Sequence, residues 1–271
     1  MITKIRNTAL IIIIFLGLGA CEYLEYDEAS YLEKEDVFID FQRTKSFLTN
    51  IYNYLPHDFV SIDGAMRATA SDEAIHVWDL SNVHGMNNGT WSAIRPLDNV
   101  WGNMYSGVRA ANLFLQEIEG QNFEEQQYNL DYHEIMEQFR VYPYEARFLR
   151  AFFYFELVKR YKNIPLITTV LTTEESLEVE PARFDSVVQF IVDECDAIAD
   201  SLPKDFGSFS STQETGRATR GAALALKART LLYAASPLHN PGNDTERWKA
   251  AAEAAFEVIN MWEYTLESNY S

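Results

Sequence analysis

The sequence predicts a mainly α-helical protein, an α-α superhelix interrupted by long irregular loops, and three observations carry that expectation. Apolar residues recur at three- and four-residue spacing along most of the chain, strand-type alternation is scarce, and a Gly or Pro closes most of the periodic runs. With 271 residues, 47% of them apolar, the chain can bury a substantial core in one or two domains.

Phe41, Leu48, Ile51, Tyr52 and Leu55 line one face of a first helix, which Pro56 ends. Leu97, Val100, Trp101, Met104, Val108, Ala111, Leu115 and Ile118 form a second stripe, stopped by Gly120, and Trp101 is read with it as core. From Tyr144 to Tyr161, Phe148, Leu149, Phe152, Phe153, Tyr154, Phe155, Leu157 and Val158 surround the helix on most sides, which places it at the centre of the fold. Phe184, Val187, Ile191, Cys195, Ile198 and Leu202 make a narrow seam before Pro203, suited to pairing with another helix. Cys195 on that seam reads as a small buried hydrophobe. Arg220 to Ala235 is rich in alanine, which permits close helix approach, and Pro237 closes it. Asn243 or Asp244 then caps a last helix carrying Trp248, Ala251, Ala252, Ala255, Val258 and Ile259. Paired helices with short turns suggest the tetratricopeptide-like type, without a strict 34-residue repeat.

Three interruptions matter for function. Pro56 to Pro96 has little periodicity over 41 residues, and a loop this long is functional or disordered. Its Trp78 and Trp91 argue against disorder. Asn163 to Pro181, opening with Ile164-Pro165-Leu166-Ile167, reads as an extended crossover, and Asp205 to Gly216 as an exposed polar loop.

At the N-terminus, Lys4 and Arg6 precede an uncharged run from Thr8 to Ala20 that is too short to span a bilayer and reads as a secretory signal. The run ends Leu18-Gly19-Ala20-Cys21, which resembles the lipobox of bacterial lipoproteins. That resemblance implies acylation of Cys21 and a tether that holds the protein to a membrane without crossing it. The domain plan is then a signal peptide over 1–20, a lipidated acidic tether over 21–40 and a helical domain over 41–271. Glu22, Glu25, Asp27, Glu28, Glu33, Glu35, Asp36 and Asp40 face Lys34 alone in the tether, which keeps it solvated and off anionic lipid.

The formal charge of -18 opposes a nucleic-acid partner. Aromatics at 14% exceed what a core needs and suit a surface that stacks on flat ligands. The long loop gathers the best such surface: Trp91 with Asn88 and Arg95 beside it as a ligand platform, and Trp78 as a second aromatic. The competing reading has one or both tryptophans plugging the loop onto the helical core. His57, His76, His84, His133 and His239 are scattered and form no metal or metalloprotease pattern, and no phosphate-binding loop or nucleophile elbow occurs. No catalysis, no metal and no cofactor are expected.

Several blocks in order resemble the SusD/RagB family of outer-membrane nutrient-binding lipoproteins. They are Ser71-Asp72-Glu73, Asn99-Val100-Trp101-Gly102-Asn103-Met104-Tyr105, Arg109-Ala110-Ala111-Asn112, and the most specific, Glu145-Ala146-Arg147-Phe148-Leu149-Arg150-Ala151-Phe152. Tyr161 with Ile164-Pro165-Leu166, Arg183-Phe184, Leu202-Pro203, Gly216-Arg217-Ala218-Thr219-Arg220-Gly221-Ala222-Ala223 and Trp248 follow. Asn163 stands where many members have glycine, and asparagine is the next-best residue for a left-handed helix end. Members are usually longer, so the match is to their N-terminal portion, and the domain over 41–271 is expected to be incomplete at its C-terminus.

The resemblance implies a lipoprotein at the cell outer membrane, facing the exterior, that captures oligosaccharide and hands it to a SusC-like TonB-dependent transporter. The acidic stretch after Cys21 also resembles the export signal of such surface lipoproteins. The alternatives are a helical scaffold or lid that contacts the transporter without binding glycan, or a RagB-like peptide binder. Glu145, Arg147 and Arg150 are expected to pair with neighbours around a buried helix, and Arg217 and Arg220 to anchor a loop.

Overall fold

The computed structural model describes residues 33–57, 59, 62–207 and 214–266. Cys21, the signal segment and most of the acidic tether lie outside them. Residues up to Val37 form a unit of their own, of which a short helix, Lys34–Phe38, is described. The main body begins at Phe38.

Among the described residues, seven helices of eight or more residues build that body: α1 (Phe41–Tyr52), α2 (Trp101–Glu117), α3 (Tyr132–Phe139), α4 (Tyr142–Tyr161), α5 (Phe184–Ala199), α6 (Arg220–Ala235) and α7 (Thr245–Ile259). From α4 each packs on the next, α4 on α5, α5 on α6 and α6 on α7, while α1 and α2 also pack on α4 and on each other. This is the predicted α-α succession. Thirteen of the twenty residues of α4 are buried, as its all-round apolar pattern requires. Among the described residues one short sheet pairs β1 (Ile164–Pro165) antiparallel to β2 (Pro181–Ala182) and closes the crossover at its base.

The caps follow the chemistry of their residues. Asp40 accepts the backbone N–H of Arg43 at 2.9 Å to open α1, Thr219 accepts that of Ala222 at 3.3 Å to open α6, and Asp244 accepts that of Glu246 at 3.0 Å to open α7. Asn240 locks the α6–α7 turn, donating to the carbonyl of Asp244 and accepting its N–H, both at 2.9 Å. Asn243, one of the two expected caps, instead supplies the left-handed residue of that turn at φ +52°.

Much of the aromatic surplus lies inside. Ten phenylalanines are buried among the described residues, and Phe41 stacks on Tyr142 with centroids 5.8 Å apart. Edge-to-face contacts of Phe123 with Phe41 and Phe139 tie α1 and α3 to the same cluster. Aromatic content alone therefore overstated the surface available for stacking. Cys195 is fully buried, and burial pushes its thiol up to about 12, so it behaves as the expected hydrophobe.

Gly107 sets the approach of α2 to α4. A Cβ there would stand 2.6 Å from Cε2 of Phe153, a side chain with no exposed surface on which to retreat. Gly107→Ala is expected to destabilise the chain by about 1–3 kcal/mol through overpacking, despite the better helix propensity of alanine. Urea unfolding would show a lower midpoint with an unchanged slope.

Three local expectations are corrected. The residue at positive φ after α4 is Lys162, at +65°, and not Asn163. Asn163 is used through its side chain, whose Oδ1 accepts the otherwise orphaned N–H of Phe184 at the start of α5, at 3.0 Å. The crossover contains a helical turn, Thr173–Glu178, with a capping box in which Thr172 accepts from Glu175 N and the Glu175 carboxylate accepts from Thr172 N. Asp205–Gly216 is not wholly exposed, because Phe206 is buried and lies under the guanidinium of Arg217, 5.7 Å from its ring centre. Residues 208–213 of that loop lie outside the described part.

Candidate functional site

The loop from Pro56 to Pro96 holds itself together with a small core of its own. Ile62, Ala65 and Val83 are buried, with Ala70 and Met86 packed against them. Asp63 and Gly64, both at positive φ, turn the chain tightly between Ile62 and Ala65, the pairing favoured for a two-residue turn with left-handed residues. That turn aims Asp63 Oδ2 at the N–H of Asn82, 2.7 Å away. Asn87 donates to the carbonyl of Thr69 at 2.9 Å, and His84 Nε2 donates to the carbonyl of Trp78 at 3.1 Å.

On this scaffold Trp78 and Trp91 stand 54% and 57% exposed. A tryptophan that plugged the loop onto the helices would be buried. Neither ring pairs with another aromatic among the described residues. Asn88 uses its side-chain oxygen to accept the N–H of Thr90 at 3.1 Å, and its amide N–H groups make no hydrogen bond among the described residues. Arg95 lies one tight turn beyond Trp91, where the backbones of Ser92 and Arg95 bond each other, and its guanidinium donates to Asn82 Oδ1 at 3.5 Å. Trp91 and Arg95 thus flank one turn, and Arg95 is linked through Asn82 to the segment that carries Trp78.

A second concave surface was not singled out by sequence reasoning. Tyr105, Arg109 and Asn112 repeat at helical spacing along α2 and read the backbone of the crossover. Tyr105 donates to the carbonyl of Pro165 at 2.8 Å, Arg109 to that of Leu171 at 3.0 Å, and Asn112 to those of Ile167 and Thr169, both at 3.1 Å. Tyr154 on α4 reads Ile167 twice, donating to its carbonyl and accepting its N–H, each at 2.7 Å. Between α2 and the crossover lies a groove of about 710 Å³. Trp101 stands at its edge, 40% exposed, in ring contact with Tyr105 and Tyr161 at 4.9 and 5.0 Å. The periodic stripe had assigned Trp101 to the core, but the first turn of α2 overhangs the groove.

The charged residues of the α4 block are framework. Glu145 is wholly buried and accepts from Nε of Arg217 at 2.9 Å and from the hydroxyl of Tyr52 at 2.6 Å. Burial pushes its carboxyl above the ordinary range against the pull of those two donors. Arg217 continues to Glu214, which also pairs with Lys45, so α1, α4 and the segment before α6 meet at one set of charges. Arg147 and Arg150 both engage Glu194 of α5, at 2.8 and 3.0 Å; burial would raise that carboxyl, but the two guanidiniums hold it below its usual value. Asp98, just before α2, is held low in the same way by Arg67 and Arg160. Arg220 pairs with Asp200 at 3.1 Å. Among the described residues no group of three His, Cys, Asp or Glu could hold a metal ion, and no helix is long and apolar enough to cross a membrane.

A SusD-like family described as starch-binding, associating with outer membrane, matches residues 22–232. The chain belongs to this family. A SusD-like protein of Formosa agariphila is 22% identical over 281 residues, spanning 99% of this chain and 48% of that relative. A crystal structure of a SusD-like protein from Bacteroides fragilis superposes with a TM-score of 0.66 at 27% identity, covering 87% of this chain and 40% of that one. A second B. fragilis structure, of a SusD-like carbohydrate-binding protein, gives 0.66 at 25% identity over 86% and 43%. The chain therefore spans less than half the length of these SusD-like relatives.

Proposed function

We propose that this SusD-like chain binds an oligosaccharide or polysaccharide at the cell surface and passes it to a SusC-like TonB-dependent transporter in the outer membrane. Acyl groups on Cys21 would anchor it there, with the acidic stretch behind them as a spacer. The observation that carries the reading is the half-exposed pair Trp78 and Trp91 on a loop ordered by its own core and hydrogen bonds. Exposed indoles cost burial energy that the fold forgoes, and their faces match the apolar faces of sugar rings, while Asn88 and Arg95 can supply directed bonds to hydroxyls. The family description and the carbohydrate-binding B. fragilis relative support the same ligand class. The framework role of Glu145, Arg147 and Arg150, each engaged in structural pairs, supports a binding protein over an enzyme at that block.

Affinity electrophoresis through gels containing amylopectin or laminarin tests the proposal. Retardation of the parent chain, reduced about tenfold in apparent affinity by Trp91→Ala with an unchanged melting temperature, is the expected result. Unchanged retardation in that variant would remove Trp91 from the platform. A folded chain that no polysaccharide retards, but that associates with the transporter, would favour the scaffold reading.

A further inference from the structure

The groove between α2 and the crossover has the chemistry of a ligand site and no part in the Trp91 surface. We propose that it is a second saccharide-binding site, one that takes an uncharged sugar segment with Trp101 as its stacking wall; this rests on the glycan-binding reading above. Its volume of about 710 Å³ lies within the range of sites that enclose small ligands. Trp101 is held in place by Tyr105 and by the perpendicular ring of Tyr161, so its exposed surface is presented without the entropic cost of ordering a free side chain.

Polar groups line the same groove. Arg109 spends one N–H on the carbonyl of Leu171, and its remaining guanidinium donors are free among the described residues. On the crossover side of the groove, the hydroxyl of Thr173 and the carboxylate of Glu174 form no hydrogen bond among the described residues. A ring with one flat apolar face and hydroxyls at its edge satisfies this set. A peptide fits it less well, because the crossover carbonyls that could pair with a peptide backbone, at Pro165, Ile167, Thr169 and Leu171, are already taken by side chains of α2 and α4. The walls carry one cation, Arg109, and one anion, Glu174, and the chain as a whole is at -18. A uronate or sulfated polymer would meet net repulsion with no cluster of cations to offset it.

The test is calorimetric titration of the purified chain with amylopectin, laminarin and alginate, repeated for Trp101→Ala, Ser176→Trp and Trp91→Ala. Ser176 is an exposed rim residue, so its replacement fills the groove without touching the aromatic corner. The neutral glucan bound by the parent is expected to bind about tenfold more weakly to Trp101→Ala and to Ser176→Trp, with circular dichroism and melting temperature preserved, and alginate is expected not to bind. If Trp101→Ala fails to fold, Ser176→Trp decides. Parental affinity in the folded groove variants, with loss in Trp91→Ala, would overturn the second site and leave the function standing. Binding of alginate would overturn the uncharged specificity, and binding of none of the three polymers would overturn both readings.

Discussion

Arg217→Ala is expected to destabilise the chain by about 3–5 kcal/mol, because it leaves Glu145 as a buried charge with no cation beside it. The loss should depend on pH in a direction fixed by the carboxyl. Glu145 already sits above its ordinary value through burial, and removing the guanidinium removes a principal opposing influence, so it moves further up. A carboxyl raised in the folded state binds more protons there than in the unfolded chain. Its favourable contribution is complete below the unfolded value and disappears as pH rises through the folded one. Urea unfolding of Arg217→Ala should therefore show a smaller deficit at pH 5 than at pH 8. A paired replacement, Glu145→Met with Arg217→Met, should recover much of the loss, since it removes both desolvated charges together. An equal deficit at both pH values would mean that Glu145 is not the group left stranded.

Arg150→Met is the second large effect and bears on the site. Arg150 is 7% exposed and joins three elements, donating to Asn112 Oδ1 on α2 at 2.8 Å, to the Thr168 carbonyl in the crossover at 3.2 Å and to Glu194 on α5 at 3.0 Å. Methionine fills the aliphatic volume but satisfies none of these acceptors. Glu194 keeps Arg147, so the expected loss is about 2–3 kcal/mol, below that for a fully orphaned charge. Hydrogen exchange should show where it falls: the crossover amides from Ile167 to Leu171 should lose protection more than those in the middle of α6. Uniform loss across the chain would mean that Arg150 supports global stability and not the crossover in particular.

The helices were legible because each of α1, α2, α4, α5 and α6 buries a stripe whose spacing is its own signature. α3 was missed: eight residues with only Ile135 and Phe139 buried give too few repeats for a period to emerge. The turn Thr173–Glu178 was missed although Thr172 and Glu175 have the spacing of a capping box, because no apolar residue follows it inward. Trp101 shows the limit of periodicity. A stripe says which face of a helix is apolar, yet whether the first turn finds something to pack on depends on the crossover, some sixty residues later in sequence. The pairing of Glu145 with Arg217 spans 72 residues and follows no spacing rule, although the demand of a buried helix for compensated charge pointed to such partners. The candidate platform was legible by composition alone, as tryptophans in a long loop, and the local core at Ile62, Ala65 and Val83 that orders it was not.

The central claim is that Trp91 meets a glycan, and fluorine NMR of 5-fluorotryptophan-labelled protein addresses it most directly. The chain has five tryptophans, so each resonance can be assigned by single substitution and followed during titration with the bound glucan. Perturbation of the Trp91 signal, with Trp248 in the last helix and Trp262 just after it unchanged, is the predicted result. A shift confined to Trp248 or Trp262 would place the ligand elsewhere and contradict the account.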